Sequence, residues 1–344
     1  MNGDKVLIAM SGGVDSTAAA VILKENGFDV TGVTFILVEG MDGAAARAAE
    51  KLDIPHYSLD LREIFEKEVI QDFIQKYRLG ITPNPCIRCN RFVKFELLFR
   101  EAERLKAEYI STGHYARVFR GSERMRLKKG RDLQKDQSYF LYSLTQKQLS
   151  KILFPLGEMN KAMVRRKVEE NGLIPDGRQE SQEICFVTGN DYVNFLRKRI
   201  PAAFQAGDIR DIHGNVIGSH QGIAGFTIGQ RRGMRIASEQ PLYVLEIHPE
   251  DHSLVAGPEE RLYTKVVTAD HINWVSRSPR SEPLKVDAQI RYNQKPQPAW
   301  LIPGEEDSFQ VSCEQPQRAV TPGQAVVAYQ GSELIAGGTI VRGE

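Results

Sequence analysis

The sequence predicts an α/β N-terminal domain built on a parallel sheet, over residues 1–200, followed by two small β-rich domains over 201–261 and 262–344. Three observations carry this expectation. Up to about residue 200, short β-branched apolar runs alternate with helical patterns, as βαβ units around a parallel sheet require. Beyond Pro201 glycine becomes frequent, long helical periodicity stops and β-type segments take over. The 344 residues also amount to about two typical domains, so more than one core is expected.

The elements follow in order. Residues 5–10 read as a buried strand and 17–26 as a helix that Gly27 stops. Residues 30–38 form a second strand, 44–52 a helix, 56–61 a third strand and 63–79 a long amphipathic helix. A further helix is expected over 91–106, then a strand ending near Gly113, and a short β-like stretch around Ser181 to Val187.

With 41% hydrophobic and 26% charged residues, the composition excludes wholesale disorder and a collagen-like or disulfide-stapled scaffold. Forty-five Lys and Arg against 44 Asp and Glu leave a net charge of +1, unlike a histone-like binder of nucleic acid. A sum cannot see arrangement, however. Between Arg117 and Lys135 eight cations stand against two acids, and Lys161 to Lys167 adds four cations with none, which reads as a track for RNA phosphates. No apolar run approaches the roughly 20 residues that span a bilayer, and the first strand lies too near the terminus to leave a signal peptide. A cytoplasmic protein with no membrane contact is expected, its four cysteines persisting as thiols unless chemistry or metal uses them.

Ala9-Met10-Ser11-Gly12-Gly13-Val14-Asp15-Ser16 joins the first strand to the first helix. Open α/β sheets bind ligands at such carboxyl ends of strands. Gly12 and Gly13 let backbone amides approach an anion, the helix dipole adds positive charge, and Ser11 and Ser16 can donate to phosphate oxygens. Asp15 would repel a bare phosphate, which suggests either a shared Mg²⁺ or an N-cap role. The loop lacks the lysine of a Walker loop and the glycine spacing of a dinucleotide fingerprint.

A second motif, Thr82-Pro83-Asn84-Pro85-Cys86-Ile87-Arg88-Cys89-Asn90, sets two thiols three residues apart just before a predicted helix. That position, with Arg88 and Arg91 close by, favours ionised thiols. A lone C-x-x-C can also be half of a metal site, and Cys185 taken alone could be a small buried hydrophobe.

The loop resembles the pyrophosphate loop of the N-type ATP pyrophosphatases, which split ATP between its α and β phosphates and adenylate a carbonyl oxygen. After it, in order, come Thr82 to Asn90, Thr112-Gly113-His114-Tyr115, Lys135-Asp136-Gln137-Ser138-Tyr139-Phe140-Leu141, Glu183-Ile184-Cys185-Phe186, Gly229-Gln230-Arg231-Arg232-Gly233 and Thr321-Pro322-Gly323-Gln324. Together these motifs are similar to the tRNA-specific 2-thiouridylase family from about Lys5 to Ile340.

The resemblance implies an adenine nucleotide alpha hydrolase-like sheet and, at the end of the chain, a tRNA-contacting β-barrel. It implies that Ala9, Met10, Ser11, Gly12, Gly13, Val14, Asp15, Ser16, Phe35 and Gly113 bind ATP. Cys89 would be the nucleophile and Cys185 the carrier of a transferable persulfide sulfur. Asn84, Pro85 and Cys86 would line the target base, the wobble uridine. His114, Lys135, Asp136, Gln137, Arg291, Tyr292 and Gln324 would contact tRNA. Expected partners are tRNA and a sulfur-donor protein, a cysteine desulfurase or sulfur-relay protein, and the expected state is a monomer.

The chemistry is coherent with those roles. Adenylation turns the C2 oxygen of a uridine into leaving AMP, after which a sulfur nucleophile must add to C2. Cys89 can then attack the sulfur bridge and leave a disulfide with Cys185. Cys86 departs from the family pattern, because many members have Asp there, so an acid/base role of that carboxylate has no bearer. Other readings stay open: an iron-sulfur cluster held by Cys86, Cys89 and Cys185, an amide-forming ligase using the same loop, and a tRNA-binding protein without catalysis.

Overall fold

The computed structural model describes residues 3–40, 43–173 and 184–343. Strands β1 (Lys5–Ala9), β2 (Asp29–Ile36), β3 (His56–Asp60), β4 (Tyr109–Ser111) and, further along, β7 (Ile152–Leu153) make one parallel sheet in the order β3-β2-β1-β4-β7. Val6 and Ile8 of β1 pack on one face against Ala18, Val21, Val164 and Val168, while Leu7 faces Phe73, Phe95 and Leu98 on the other. Cover on both faces is why this strand is continuously apolar rather than alternating. Strand order turns back at β1, so the carboxyl ends of β1 and β4 open a crevice at the switch point.

Helix α1 (Val14–Glu25) starts directly after the glycine loop, and α2 (Ala44–Lys51) follows β2. The expected helix over 63–79 forms as α3 (Arg62–Phe65), a π-helical turn Glu66–Ile70 and α4 (Gln71–Arg78). The helix expected over 91–106 begins earlier, because Asn84 caps it and Pro85 suits its first position. It runs as α5 (Pro85–Cys89), a π turn Asn90–Lys94 and α6 (Phe95–Leu105), so both cysteines of the C-x-x-C lie on the helix rather than before it. The stretch around Ser181 to Val187 also departs from expectation. Its described part, residues 184–187, is a turn closed by the Val187 N–H to the Ile184 carbonyl at 2.9 Å.

Between β4 and β7 a hairpin of β5 (Ala116–Arg120) and β6 (Met125–Lys129) leaves the parallel sheet. It pairs instead with the last strand of the chain, Lys128 opposite Glu333. Strands β8 (Gly207–Arg210), β9 (Val216–His220), β10 (Tyr243–His248) and β11 (Ser253–Gly257) form a separate sheet in the order β10-β11-β8-β9. The remaining strands, β12 (Tyr263–Trp274), β13 (Leu284–Gln289), β14 (Gln297–Pro303), β15 (Phe309–Arg318), β16 (Ala325–Gln330) and β17 (Glu333–Gly343), close into a six-stranded barrel through β12–β17 pairing.

The barrel is fused to the α/β unit by a shared core in which Leu127, Tyr139 and Leu141 meet Ala325, Val327, Tyr329 and Leu334. The buried Tyr139 hydroxyl donates to the Ala325 carbonyl at 2.9 Å. A second junction lies at the barrel turn before β16. There the Thr82 N–H donates to the Pro322 carbonyl at 3.1 Å, and Gln324 Nε2 donates to the carbonyls of Thr82 and Pro83 at 3.0 and 3.1 Å. Gly323 sits between them at φ +88°, where a Cβ would fall 2.4 Å from Ile81 Cγ2 and 2.8 Å from the Thr82 carbonyl oxygen. Substituting Gly323→Ala combines left-handed strain with a clash, and is expected to cost about 1–3 kcal/mol. Thermal melting should show the loss, and amide exchange should locate it at Thr82.

Candidate active site

The loop after β1 is held open by its own hydroxyls. Ser16 Oγ accepts from the Ser11 N–H at 3.1 Å and donates to the Gly13 carbonyl at 3.2 Å, with Ser11 Oγ 3.2 Å away. Gly13 is the N-cap of α1 and brings no side chain, so the first amides of a 12-residue helix face the loop cavity. Gly12, at φ +76°, lies so close to α2 that a Cβ would stand 2.5 Å from the Cβ of Ala44. Phe35 lies two residues past Val33, the partner of Ala9, which sets it beside the loop. Gly113, leaving β4, presses its backbone on the same loop, where a Cβ would meet Ser16 N at 2.8 Å and the Asp15 carbonyl carbon at 2.9 Å.

Asp15 takes neither role expected of it. Gly13 is the cap, and Asp15 Oδ1 accepts from Tyr115 Oη at 2.7 Å and from Lys161 Nζ at 2.8 Å. The carboxylate already has its counter-charge, so Asp15 as placed does not fit a Mg²⁺ ligand. Lys161 is thereby drawn from the expected RNA track to the phosphate loop. Lys167 of that track pairs with Glu25 at 2.8 Å. Lys161 as a loop residue was invisible in the sequence, where it is only the first of a basic run 146 positions away from Asp15.

His114 leads from this loop to the thiols. It stacks on Phe95 at 5.8 Å and meets Phe154 edge-on at 6.1 Å, and its Nδ1 lies 2.7 Å from Thr112 Oγ1. Burial, helped by the nearby Lys94 ammonium, holds its pKa at about 3, so the ring is neutral. Lys94 itself closes the π turn that starts just after Cys89. An inserted residue re-aims the following side chains, and such π turns gather at functional sites. The ammonium faces Cys86, Cys89 and Cys185 together. Enclosure works to lower its pKa, but the three sulfurs outweigh this and hold the pKa above the ordinary value. No carboxylate pairs with it among the described residues. Beside it Asn90, 3% exposed, donates to the Phe140 carbonyl at 3.3 Å, while its Oδ1 has no partner among the described residues.

The thiols are less acidic than their helix position suggested. Burial pushes Cys89 up to about 12 against the pull of Lys94. Cys86 and Cys185 are reachable by solvent but crowded by protein, and burial raises both, again opposed by Lys94. The arginines named for that effect point elsewhere: Arg88 bridges Glu68 and Asp72 at 3.3 Å each, and Arg91 lies over the Phe92 ring at 5.0 Å. Cys185 rides on the turn at residues 184–187, anchored by its neighbour Phe186, which packs edge-on against Phe65 at 5.7 Å and Phe73 at 5.2 Å. Each such contact adds about 0.5–1.5 kcal/mol beyond area burial. Glu183 of the same motif lies outside the described residues. Among the described residues no three His, Cys, Asp or Glu side chains, the three thiols included, converge closely enough to hold a single metal ion.

Asn84 and Pro85 stand at the start of α5, its cap and first residue, one turn before Cys89. Several residues expected to contact tRNA are braces of the site in the free chain. Gln137 exchanges hydrogen bonds with the Tyr115 backbone at 2.9 and 3.0 Å. Asp136 accepts from Gly130 N, Ser138 N and Ser138 Oγ, and burial raises its pKa. Lys135 N donates to the Asp132 carbonyl at 3.0 Å. Arg291 Nη2 donates to the Ala319 carbonyl and to Thr321 Oγ1 at 2.8 Å, and Tyr292 packs on Phe140 at 4.3 Å. Gln324 holds the segment ahead of the cysteines, as described above.

Residues 4–189 match the family described as the tRNA methyl transferase HUP domain, 193–258 the tRNA methyl transferase PRC-barrel domain, and 264–340 the Aminomethyltransferase beta-barrel domain. The tRNA-specific 2-thiouridylase MnmA 1 of Caldanaerobacter subterraneus subsp. tengcongensis is 44% identical over 355 residues, covering 98% of each chain. The tRNA-specific 2-thiouridylase MnmA of Heliobacterium modesticaldum is 45% identical over 98% of this chain and 93% of its own. Among solved structures, a 4-thiouridine synthetase–RNA complex with bound ATP aligns with 58% of this chain and 50% of that chain at 16% identity and a TM-score of 0.33, a likeness too slight to carry weight.

Two outcomes follow from the electrostatics. His114 has a folded pKa near 3 against 6.5 unfolded, so the unfolded chain binds the extra proton between those values. Its contribution to stability is complete above pH 6.5 and is lost as pH falls toward 3; urea unfolding across that window should show it, and His114→Gln should flatten this part of the profile. Lys94→Met should raise all three thiol pKa values further. Alkylation of Cys86 and Cys185 at pH 8 is then expected to slow several-fold relative to the parent, with the pH–rate curve moved to higher pH.

Proposed function

The chain belongs to the tRNA-specific 2-thiouridylase family, enzymes of ATP-dependent tRNA thiolation, and from that membership we propose that it replaces the C2 oxygen of the wobble uridine with sulfur. The observation that carries this reading is the contiguity of the site. The anion loop abuts Gly113, the adjoining His114 faces Lys94, and Lys94 faces three thiols. The family description speaks of methyl transfer, whereas the curated relatives are named for thiolation. Three thiols around one ammonium beside a phosphate loop support sulfur chemistry.

ATP enters as a substrate. Its phosphates are taken by the amides of Gly12, Gly13 and the first turn of α1, with Ser11 and Ser16 donating, and its adenosine lies between Phe35 and Gly113. The uridine O2 attacks the α-phosphorus, the bond to the β-phosphate oxygen breaks, and pyrophosphate leaves toward the loop. Lys161 stands there as the only charge-neutralising partner described for Asp15, which keeps that carboxylate from opposing the phosphates.

Sulfur comes as a persulfide on Cys185, loaded by a sulfur-donor protein. The persulfide anion is a better nucleophile than the protonated thiol, and Lys94 supplies the counter-charge for it. Its terminal sulfur adds to C2, and AMP departs with the former C2 oxygen. The Cys89 thiolate then attacks Sγ of Cys185, the bridging sulfur–sulfur bond breaks, and the sulfur stays on C2 as the thiocarbonyl. Two thiols have been oxidised to a Cys89–Cys185 disulfide and the transferred sulfur reduced, so a thiol reductant must reset the enzyme before the next turnover. Asn84, Pro85 and Cys86 line the base pocket in this reading, with Cys86 as a polar wall. Direct tRNA contacts fall to the exposed parts of His114, Lys135, Asp136, Gln137, Arg291, Tyr292 and Gln324. The protein acts as a cytoplasmic monomer, with three domains over 1–200, 201–261 and 262–344.

Purified enzyme given ATP, a persulfide donor and unmodified tRNA should form 2-thiouridine and release AMP and pyrophosphate. Cys185→Ser should abolish thiolation while tRNA-dependent adenylation persists, as read by isotope exchange between ATP and pyrophosphate. Exchange driven by a small carboxylate without tRNA would instead make the protein a ligase.

A further inference from the structure

The outer face of the β5–β6 hairpin carries two cross-strand pairs, Arg117 opposite Lys128 and Phe119 opposite Arg126. Like charges directly opposite each other destabilise a hairpin. Here both lean on the Phe119 ring, Arg117 at 5.8 Å and Lys128 at 5.1 Å, while the ring itself remains 40% exposed. At the tip of the hairpin, a cavity of about 430 Å³ opens between the turn and the loop that follows β12. Its walls hold four arginines, Arg124, Arg126, Arg277 and Arg280, against two glutamates, Glu123 and Glu333. Glu333 is taken by Arg126 at 3.4 Å, and Arg280 reaches out of the cavity lining to Glu282 at 3.0 Å. Arg124 Nη2 holds the Trp274 carbonyl at 3.0 Å.

Four guanidinium groups against two carboxylates give the cavity a net positive lining, which suits an oxyanion. The row of cations that leads from it along the hairpin, with an exposed ring among them, calls for a polyanion that also carries bases, because one free phosphate would engage the cavity alone. The hairpin links both ends: its first strand leaves directly from the site segment 112–115, and at about 3.3 Å per residue the cavity lies roughly 20 Å from that segment. We propose that this cavity and the adjoining hairpin face are a second RNA contact, gripping the phosphodiester backbone of the tRNA body away from the reacting base, with Phe119 as a stacking surface. This rests on the reading that tRNA is the substrate.

The test uses the full chain and an unmodified tRNA, with affinity measured between about 50 and 200 mM salt. Arg277→Gln/Arg280→Gln is expected to weaken binding about tenfold at the low end and to reduce the slope of log affinity against log salt by about one to two. Phe119→Ala should weaken binding several-fold and leave the slope unchanged, and Arg277→Lys/Arg280→Lys should restore most of the slope. Should the double variant melt early, Arg277→Gln alone reads the same slope, since its side chain makes no hydrogen bond or ion pair among the described residues. An unchanged affinity and slope overturn the inference, including the case in which inorganic phosphate alone still raises the parent's melting temperature through this cavity. A parent protein that binds no tRNA at any salt overturns the underlying reading instead.

Discussion

Backbone meets backbone where Gly113 touches the loop between β1 and α1, and the rest of the site is built outward from that contact. A side chain at Gly113 would push against Ser16 N and the Asp15 carbonyl carbon, atoms of the helix start that cannot yield without moving α1. The contact therefore ties the carboxyl ends of β1 and β4 together at the place where strand order reverses. Everything attached to β4 inherits that position. His114 and Tyr115 follow directly, Tyr115 reaches back to Asp15, and the hairpin that joins the barrel begins at the next residue.

The thiols illustrate a balance between access and ionisation. Burying a thiol in apolar surroundings protects it from adventitious oxidation but raises its pKa, and Cys89 is raised furthest. A single ammonium shared by three sulfurs offsets part of that cost without committing to any one of them. In the sulfur transfer proposed above it would serve whichever sulfur is charged, and a persulfide, more acidic than a thiol, would gain most at ordinary pH. An unpaired buried cation would otherwise be expensive, which is the physical reason to find thiols rather than alkyl groups around it. Asn90 adds a second polar group to the same turn, its Oδ1 without a partner among the described residues.

Three of the residues expected to touch tRNA also make internal hydrogen bonds that brace the segments around the thiols. Gln137 binds the Tyr115 backbone, Arg291 binds the barrel turn, and Gln324 binds the segment ahead of Cys86. The barrel thus helps to hold the segment that leads into the cysteines. Its turn at Gly323 packs on Ile81 and Thr82, just upstream of the helix that carries both Cys86 and Cys89.

What the amino-acid sequence determined by itself was local. A buried strand running into Ser-Gly-Gly-Val-Asp-Ser announces an anion loop because its paired glycines free the amides of a helix start, and the shift to glycine-rich β segments after Pro201 follows from periodicity alone. The cysteines were legible for the same reason, as rare residues in distinctive surroundings. The roles of the charged groups were not. Lys161 looked like one cation of an RNA track until folding brought it to Asp15, and nothing in the sequence singled out Lys94, which the π turn sets among the sulfurs. Arg88 and Arg91, near the thiols in sequence, proved to face away from them. Helix start, thiol acidity and the union of hairpin and barrel depend on contacts between segments far apart in the chain. Charge and burial act through space, so only the tertiary structure could decide which cation lies at the glycine loop, which lies among the sulfurs and which stay on the hairpin.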